Sequence, residues 1–210
     1  MEENKKTLLL ILDGLTATGK TTTAKYLSDT FGFRIIKFPP EEIIKKRIKE
    51  MKSSNFEECK IYIDDLMDYL VKEVKKGKEE ENIIIFDRSY ISTFTFQAKT
   101  KEIEEYILNR YIECFKILNI DLENSLTLFF NKRIDGVERE QKIGEKYLLE
   151  EEYNIEGRFN HYATYYIKRT ELKTDLICMD MNKTKIENLK DFIILYFRLD
   201  YYDKRLDISK

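Results

Sequence analysis

Two short stretches hold the residues with the most chemical capacity. The first is Gly14-Leu15-Thr16-Ala17-Thr18-Gly19-Lys20-Thr21. It fits the spacing G-x-x-x-x-G-K-[ST]. The two glycines let the backbone bend so that its N–H groups point into one concavity, which suits an anion. A helix starting at Lys20 adds the positive end of its dipole. Lys20 supplies a point charge for β- and γ-phosphates, and the Thr21 hydroxyl suits Mg²⁺. The expected chemistry is polyphosphate binding, with Lys20 on a surface loop.

The second stretch is IIIFDRSYISTFTFQ, residues 83 to 97. Three isoleucines and a phenylalanine read as a buried strand that ends in Asp87-Arg88-Ser89. Beside a phosphate loop, Asp87 can orient Mg²⁺ or its waters, or take a proton from an attacking oxygen. Arg88 can clamp a transferring phosphoryl group. The plainer alternative is an Asp–Arg pair at a helix start, with Asp87 near the N-cap.

Strand-type and helix-type runs alternate around these stretches. Strands are expected at Thr7–Leu12, Arg34–Phe38, Asn82–Asp87, Ser125–Phe130 and Leu176–Met179. Each is short and apolar, as strands covered on both faces should be. Helices are expected at Lys20–Phe31, Glu42–Met51, Glu57–Lys76, Lys101–Leu118, about Asn154–Arg169 and about Lys185–Tyr196. This order predicts an α/β chain, a three-layer α/β/α arrangement around a five-stranded parallel sheet. Ligands of such sheets sit beyond the carboxyl ends of the strands, where Asp13, Phe38-Pro39, Asp87-Arg88 and Asn131-Lys132-Arg133 all fall. Residues 1–210 are expected to form one domain. The charge-dense segment Glu138 to Gly157 reads as a lid over the phosphates (about 138–157) or as an exposed helix.

Composition narrows the function classes. The 210 residues are 36% charged, yet the formal net charge is only −2, so no general attraction to nucleic acid is expected. No apolar run reaches the roughly 20 residues that span a bilayer. The N-terminal MEENKK is followed by no signal core with a small-residue cleavage site, so a cytoplasmic location is expected. Cys59, Cys114 and Cys178 match no metal spacing and read as buried thiols. His161, the one histidine, reads as a polar helix residue.

Taken together, these residues resemble the thymidylate kinase and deoxynucleoside kinase superfamily of P-loop kinases. LDGLTATGKTTTAKYL carries the first match. DRSYISTFTFQ resembles the pattern D-R-[YH]-x-x-S-[ST]-x-x-[YF]-Q of thymidylate kinases, with Asp87, Arg88, Ser92, Thr93, Phe96 and Gln97 in matching places. KFPPEE (37 to 42) is similar to the R-F-P segment after the second strand. Phe159, Tyr162 and Tyr166 match the aromatic and apolar spacing of the helix after the lid. The resemblance implies a P-loop NTPase fold and Mg·ATP as phosphoryl donor, bound by Gly14, Thr16, Ala17, Thr18, Gly19, Lys20, Thr21 and Thr22. It implies Thr21 and Asp87 at the metal, and Lys20, Asp87 and Arg88 in catalysis. Phe38, Arg88, Ser92, Thr93 and Gln97 would bind the acceptor. Arg139 and Lys142 are the lid candidates, flanked by Arg133 and Arg158. A homodimer through Glu57–Lys76 or Lys101–Leu118 is a further implication.

Departures from the pattern separate three readings. The P-loop has no internal acid, Glu41 stands where an arginine is usual, and KIYIDD (60 to 65) lacks the arginine of that helix. Lys37, Lys45, Lys46 and Arg47 are the nearby candidates to grip an acceptor phosphate. The first reading is phosphoryl transfer to a pyrimidine deoxynucleoside monophosphate, dTMP foremost. The second is a deoxyribonucleoside kinase. There Asp13, just before the first P-loop glycine, would be the base for a 5′-hydroxyl, and D-R-S would stand for E-R-S. The third is a non-catalytic nucleotide-binding regulator. An aromatic pocket of Phe38, Tyr62, Tyr69, Phe94 and Phe96 would favour an enzyme, although Tyr62 and Tyr69, seven apart on a helix, also suit a core.

Overall fold

The computed structural model describes residues 6–77, 82–132, 134–135 and 154–199. Five parallel strands form one sheet: β1 (Leu8–Gly14), β2 (Arg34–Lys37), β3 (Ile83–Asp87), β4 (Leu126–Phe130) and β5 (Asp175–Met179). Their spatial order is β2-β3-β1-β4-β5. The central strands β3 and β4 are buried at every residue, as is β1 after Leu8. Uninterrupted apolar runs suit strands covered on both faces. The edge strands differ from that expectation. β2 and β5 are only partly covered, because each has a neighbour on one side. Cys178 on β5 is therefore exposed, whereas Cys59 and Cys114 are buried as expected.

The period of two along each strand divides the core. Leu9, Ile11, Ile84, Phe86 and Phe129 face one cluster. It is completed by α4 (Phe56–Lys75), α5 (Tyr90–Gln97), α6 (Lys101–Ile117) and α7 (Ile155–Asn160). Leu10, Leu12, Ile85 and Leu128 face the other, with α1 (Lys20–Phe31) and α8 (Ile186–Phe197). Phe38, Tyr62 and Phe94 are almost wholly buried in the first cluster, and Tyr69 and Phe96 pack against it.

Two helical runs differ from the sequence-based expectation. The run expected at Glu42–Met51 is two short helices, α2 (Glu41–Lys46) and α3 (Ile48–Lys52), broken at Arg47. Arg47 leaves helical geometry and its Nε donates to Asp65 of α4 at 2.7 Å. The run expected at about Asn154–Arg169 begins as α7, continues as a π-helix over His161–Tyr166 and closes as a 3₁₀ turn over Ile167–Arg169. The wider turn keeps Phe159, Tyr162 and Tyr166 all directed at α5 and its neighbours.

Basic side chains tie three helix C-termini to distant chain. Arg34 of β2 donates to the carbonyls of Glu73 and Val74 at the end of α4, at 2.7 and 3.1 Å. Lys99 donates to Met51 and Ser53 at 3.1 and 2.9 Å, and also to Lys52, at the end of α3. Arg158 does the same at the end of α5. Positive charge there satisfies carbonyls that have no intrahelical partner and complements the negative end of the dipole. No described helix is long and apolar enough to cross a membrane.

Candidate active site

The sheet's register brings the two chemical stretches together. Asp87, the last residue of β3, lies in register with Leu12 of β1 and with Lys37 of β2. The chain leaves β1 through Gly14 and turns into the loop ahead of α1. Gly14 has φ +123°, and a Cβ there would lie 2.2 Å from the Phe130 carbonyl oxygen. Only glycine permits this turn and this approach to β4. Gly19 occupies the N-cap of α1 at φ +88°, and Ala17 is also left-handed at φ +55°. Thr16 and Thr18 are buried within the loop.

Lys20 is the first residue of α1 and is 5% exposed, which corrects its expected place on a surface loop. Its ammonium is drawn back over the loop, donating to the Leu15 carbonyl and, at 3.0 Å, to the Thr18 hydroxyl. The Thr18 hydroxyl itself donates to Leu15 at 2.8 Å. Thr21 and Thr22 stand exposed at the start of α1. The Thr21 hydroxyl donates to Asp87 Oδ2 at 3.0 Å, while Asp87 Oδ1 is buried with no hydrogen-bond partner among the described residues. A hydroxyl and a carboxylate oxygen available beside a phosphate loop are oxygen donors of the kind Mg²⁺ uses, with phosphate and water completing its shell. The site residues therefore fit that ion.

Asp13 is fully buried and both of its oxygens are engaged. Oδ1 accepts from the Gly14 amide at 2.8 Å and from the Ser92 hydroxyl. Oδ2 accepts from the amides of Ser89 and Ser92, each at 3.0 Å. The carboxylate thus caps α5 from the P-loop side. Burial pushes its carboxyl above the usual range, against the pull of Arg88, the Ser92 hydroxyl and the Ser92 and Gly14 amides. The N-cap residue of α5 is Ser89, two positions after Asp87.

Arg88 is held in the left-handed region, at φ +74°. Its amide donates to Leu12 at 2.9 Å. Its guanidinium donates to the Gly14 carbonyl at 3.0 Å and the Ser92 hydroxyl at 3.1 Å. A non-glycine residue in that conformation costs on the order of 1 kcal/mol, which the surrounding bonds offset. Arg88 is thereby aimed along the rim between β1 and α5.

Along α5, Ser92, Thr93 and Gln97 are all buried. The Thr93 hydroxyl bonds Ser89 at 3.2 Å and the Tyr111 hydroxyl of α6 at 2.8 Å. Gln97 Oε1 is buried with no partner among the described residues. Phe38, at the end of β2, sets its ring edge-on to Tyr111 at 6.5 Å. The same neighbourhood thus holds Phe38, Arg88, Ser92 and Thr93, with Gln97 at the far end of α5.

The basic candidates near the rim are differently engaged. Lys45 pairs with Glu41, and Lys46 and Arg47 both pair with Asp65. Lys37 is exposed, beside Asp87 in register. Arg133, Arg139 and Lys142 lie outside the described residues, as does most of the lid region about 138–157. Arg158, a lid-flanking candidate by sequence, instead grips the carbonyls of α5. Nothing in its sequence neighbourhood signals that role.

Known proteins resemble this chain along most of its length. The family model described as thymidylate kinase matches residues 12–193. A thymidylate kinase of Mycoplasma genitalium is 21% identical over 209 residues, covering 92% of this chain and 95% of that protein. A solved thymidylate kinase from Candida albicans is 16% identical, covers 93% of each chain and aligns with a TM-score of 0.54. A solved deoxyadenosine kinase from M. mycoides is 17% identical, covers 91% of this chain and 98% of its own, and aligns with a TM-score of 0.53. At such identities the solved structures speak for a shared fold of P-loop kinases. The family match spans the P-loop, the Asp87-Arg88 strand end and the helices behind them, and it places this chain in the thymidylate kinase family.

Proposed function

We propose that this enzyme transfers the γ-phosphoryl group of ATP to a pyrimidine deoxynucleoside monophosphate, dTMP foremost. Nucleotide phosphoryl transfer is the activity of its family. The choice of acceptor class rests on one observation. Asp13, the acid that a nucleoside kinase would use as base, has both oxygens engaged by four donors and is fully buried. A nucleoside 5′-hydroxyl needs a base to become a nucleophile. A monophosphate oxygen is largely ionised near neutral pH and needs none. The arrangement therefore favours an acceptor that already carries phosphate.

The roles in this reading are these. The loop from Gly14 to Thr22 binds the ATP phosphates, and Lys20 swings from Leu15 to the transferring group. Thr21 and Asp87 hold Mg²⁺, which supplies positive charge against the phosphate oxygens when bound. Arg88, bonded to the Gly14 carbonyl of the loop and to Ser92 of α5, stabilises charge on the group in transit. Lys37, exposed at the end of β2, assists it at the acceptor phosphate. Phe38, Ser92 and Thr93 lie on the acceptor side, and Gln97 Oε1 accepts from a base N–H. Arg139, a lid candidate by resemblance, would add positive charge for the phosphates.

Arg88→Ala tests this reading. The expected result is a fall in kcat of roughly 100-fold, with ATP affinity by calorimetry changed less than about threefold. Equal losses in turnover and ATP affinity would reduce Arg88 to a structural role.

A further inference from the structure

The C-terminal end of α5 is held by a residue from the far side of the lid region. Arg158 Nε donates to the Thr95 carbonyl at 2.7 Å, and its Nη2 donates to Phe94 and Ala98 at 3.2 and 2.9 Å. Three carbonyls of one helix end thus converge on one guanidinium. Tyr162 lies under that guanidinium at 5.6 Å and stacks on Phe94 at 5.2 Å. Phe159 meets Phe96 edge-on at 5.6 Å. The Tyr162 hydroxyl donates to Glu104 of α6 at 3.0 Å, which keeps the whole assembly against the core.

The other end of α5 is held by Asp13 of the P-loop side. Opposite charges at its two ends, each complementing the helix dipole, clamp an eight-residue helix that could not stand alone. Between the clamps lie Ser92, Thr93 and Gln97. Gln97 sits among the carbonyls that Arg158 gathers, and its Oε1 is buried without a partner among the described residues. Among the described residues, Arg34 and Lys99 bind helix ends from before residues 136–153, and Arg158 from beyond them.

We propose that Arg158 is a positioning residue for the acceptor, fixing the last turn of α5 and thereby the Gln97 carboxamide. The inference rests on the reading that the acceptor lies along α5. It makes acceptor recognition depend on the helix that follows the lid. The donor side is built on the P-loop and α1, at the opposite end of α5 from Arg158. Lysine can reach one or two of the three carbonyls but lacks the planar fork that spans them. Methionine keeps much of the aliphatic stem and donates to none.

The experiment compares wild type, Arg158→Lys and Arg158→Met by steady-state kinetics, varying ATP and acceptor separately. The acceptor is whichever nucleotide or nucleoside the wild type turns over. Arg158→Met should raise acceptor KM about tenfold, with ATP KM changed less than about twofold. Arg158→Lys should recover part of that loss. Should Arg158→Met fail to fold, Arg158→Lys still carries the test through the ratio of the two KM values. Unchanged acceptor KM, or equal shifts in both KM values, overturns the inference and leaves the functional reading standing. Wild-type silence with every acceptor overturns that reading, and the inference with it.

Discussion

Lys20→Ala is expected to lower kcat by a factor on the order of 10²–10³ while the protein stays folded. Phosphoryl transfer leaves little covalent work to the protein, so rate resides in positioned charge. Lys20 is the one ammonium set within the loop between Gly14 and Thr21. Its bonds to Leu15 and Thr18 stay within that loop. Removing it leaves the Leu15 carbonyl still accepting from Thr18. The stability cost is expected near the ordinary value for one hydrogen-bonding side chain, about 1 kcal/mol, a shift of about 2–4 °C in Tm for a chain of this size. Thermal melts beside turnover separate the two effects. Turnover within threefold of wild type would contradict the P-loop assignment. A collapse of Tm with lost turnover would mean that buried Lys20 is chiefly a structural residue.

Gly14→Ala carries the largest expected loss of stability. The added Cβ would lie 2.2 Å from the Phe130 carbonyl oxygen, 2.8 Å from its carbon and 2.9 Å from its nitrogen. These are backbone atoms of β4, so no side chain can turn aside to relieve the contact. The Leu15 amide also donates to that same Phe130 carbonyl, at 2.9 Å. Relief requires β1 and β4 to part at the centre of the sheet, and φ of +123° is itself unfavourable for alanine. A loss of roughly 3–5 kcal/mol follows. Gly32→Ala is the matched comparison. Gly32 is also left-handed, at φ +73°, but a Cβ there meets nothing within 4 Å. Its cost should be only about 1 kcal/mol. Urea unfolding of both variants checks the pair. Equal midpoints would show that the loop, not the strand contact, governs the position.

The parts of the site that are contiguous in the chain are legible in the sequence. Gly14 to Thr21 and Asp87-Arg88 each carry their geometry in adjacent residues, and uninterrupted apolar runs mark the central strands. The register of β1, β2 and β3 then accounts for why those stretches meet. What the sequence hides depends on bonds between side chains and distant backbone. Asp13 reads as a candidate base until Ser89 and Ser92 are seen to occupy it. Arg158 reads as a lid cation until its three carbonyl partners, some 60 residues earlier in the chain, are seen. The break at Arg47 likewise coincides with a bond to Asp65 in another helix. Such contacts leave no periodicity, so a pattern of 2 or 3.6 residues cannot reveal them. The burial of Lys20 is hidden for a related reason: glycine-rich composition suggests an exposed loop, whereas this one folds over its own lysine.

An acceptor that already bears a phosphate is the premise on which the residue roles depend. ADP release from Mg·ATP, followed against a panel of nucleosides and nucleoside monophosphates with a control lacking acceptor, decides it. Release is expected with dTMP or a close pyrimidine deoxynucleotide, and only at background level with thymidine or with ATP alone. Turnover confined to nucleosides would contradict that premise and return Asp13 to the role of base, while acceptor-independent or absent turnover would point to a nucleotide-binding regulator.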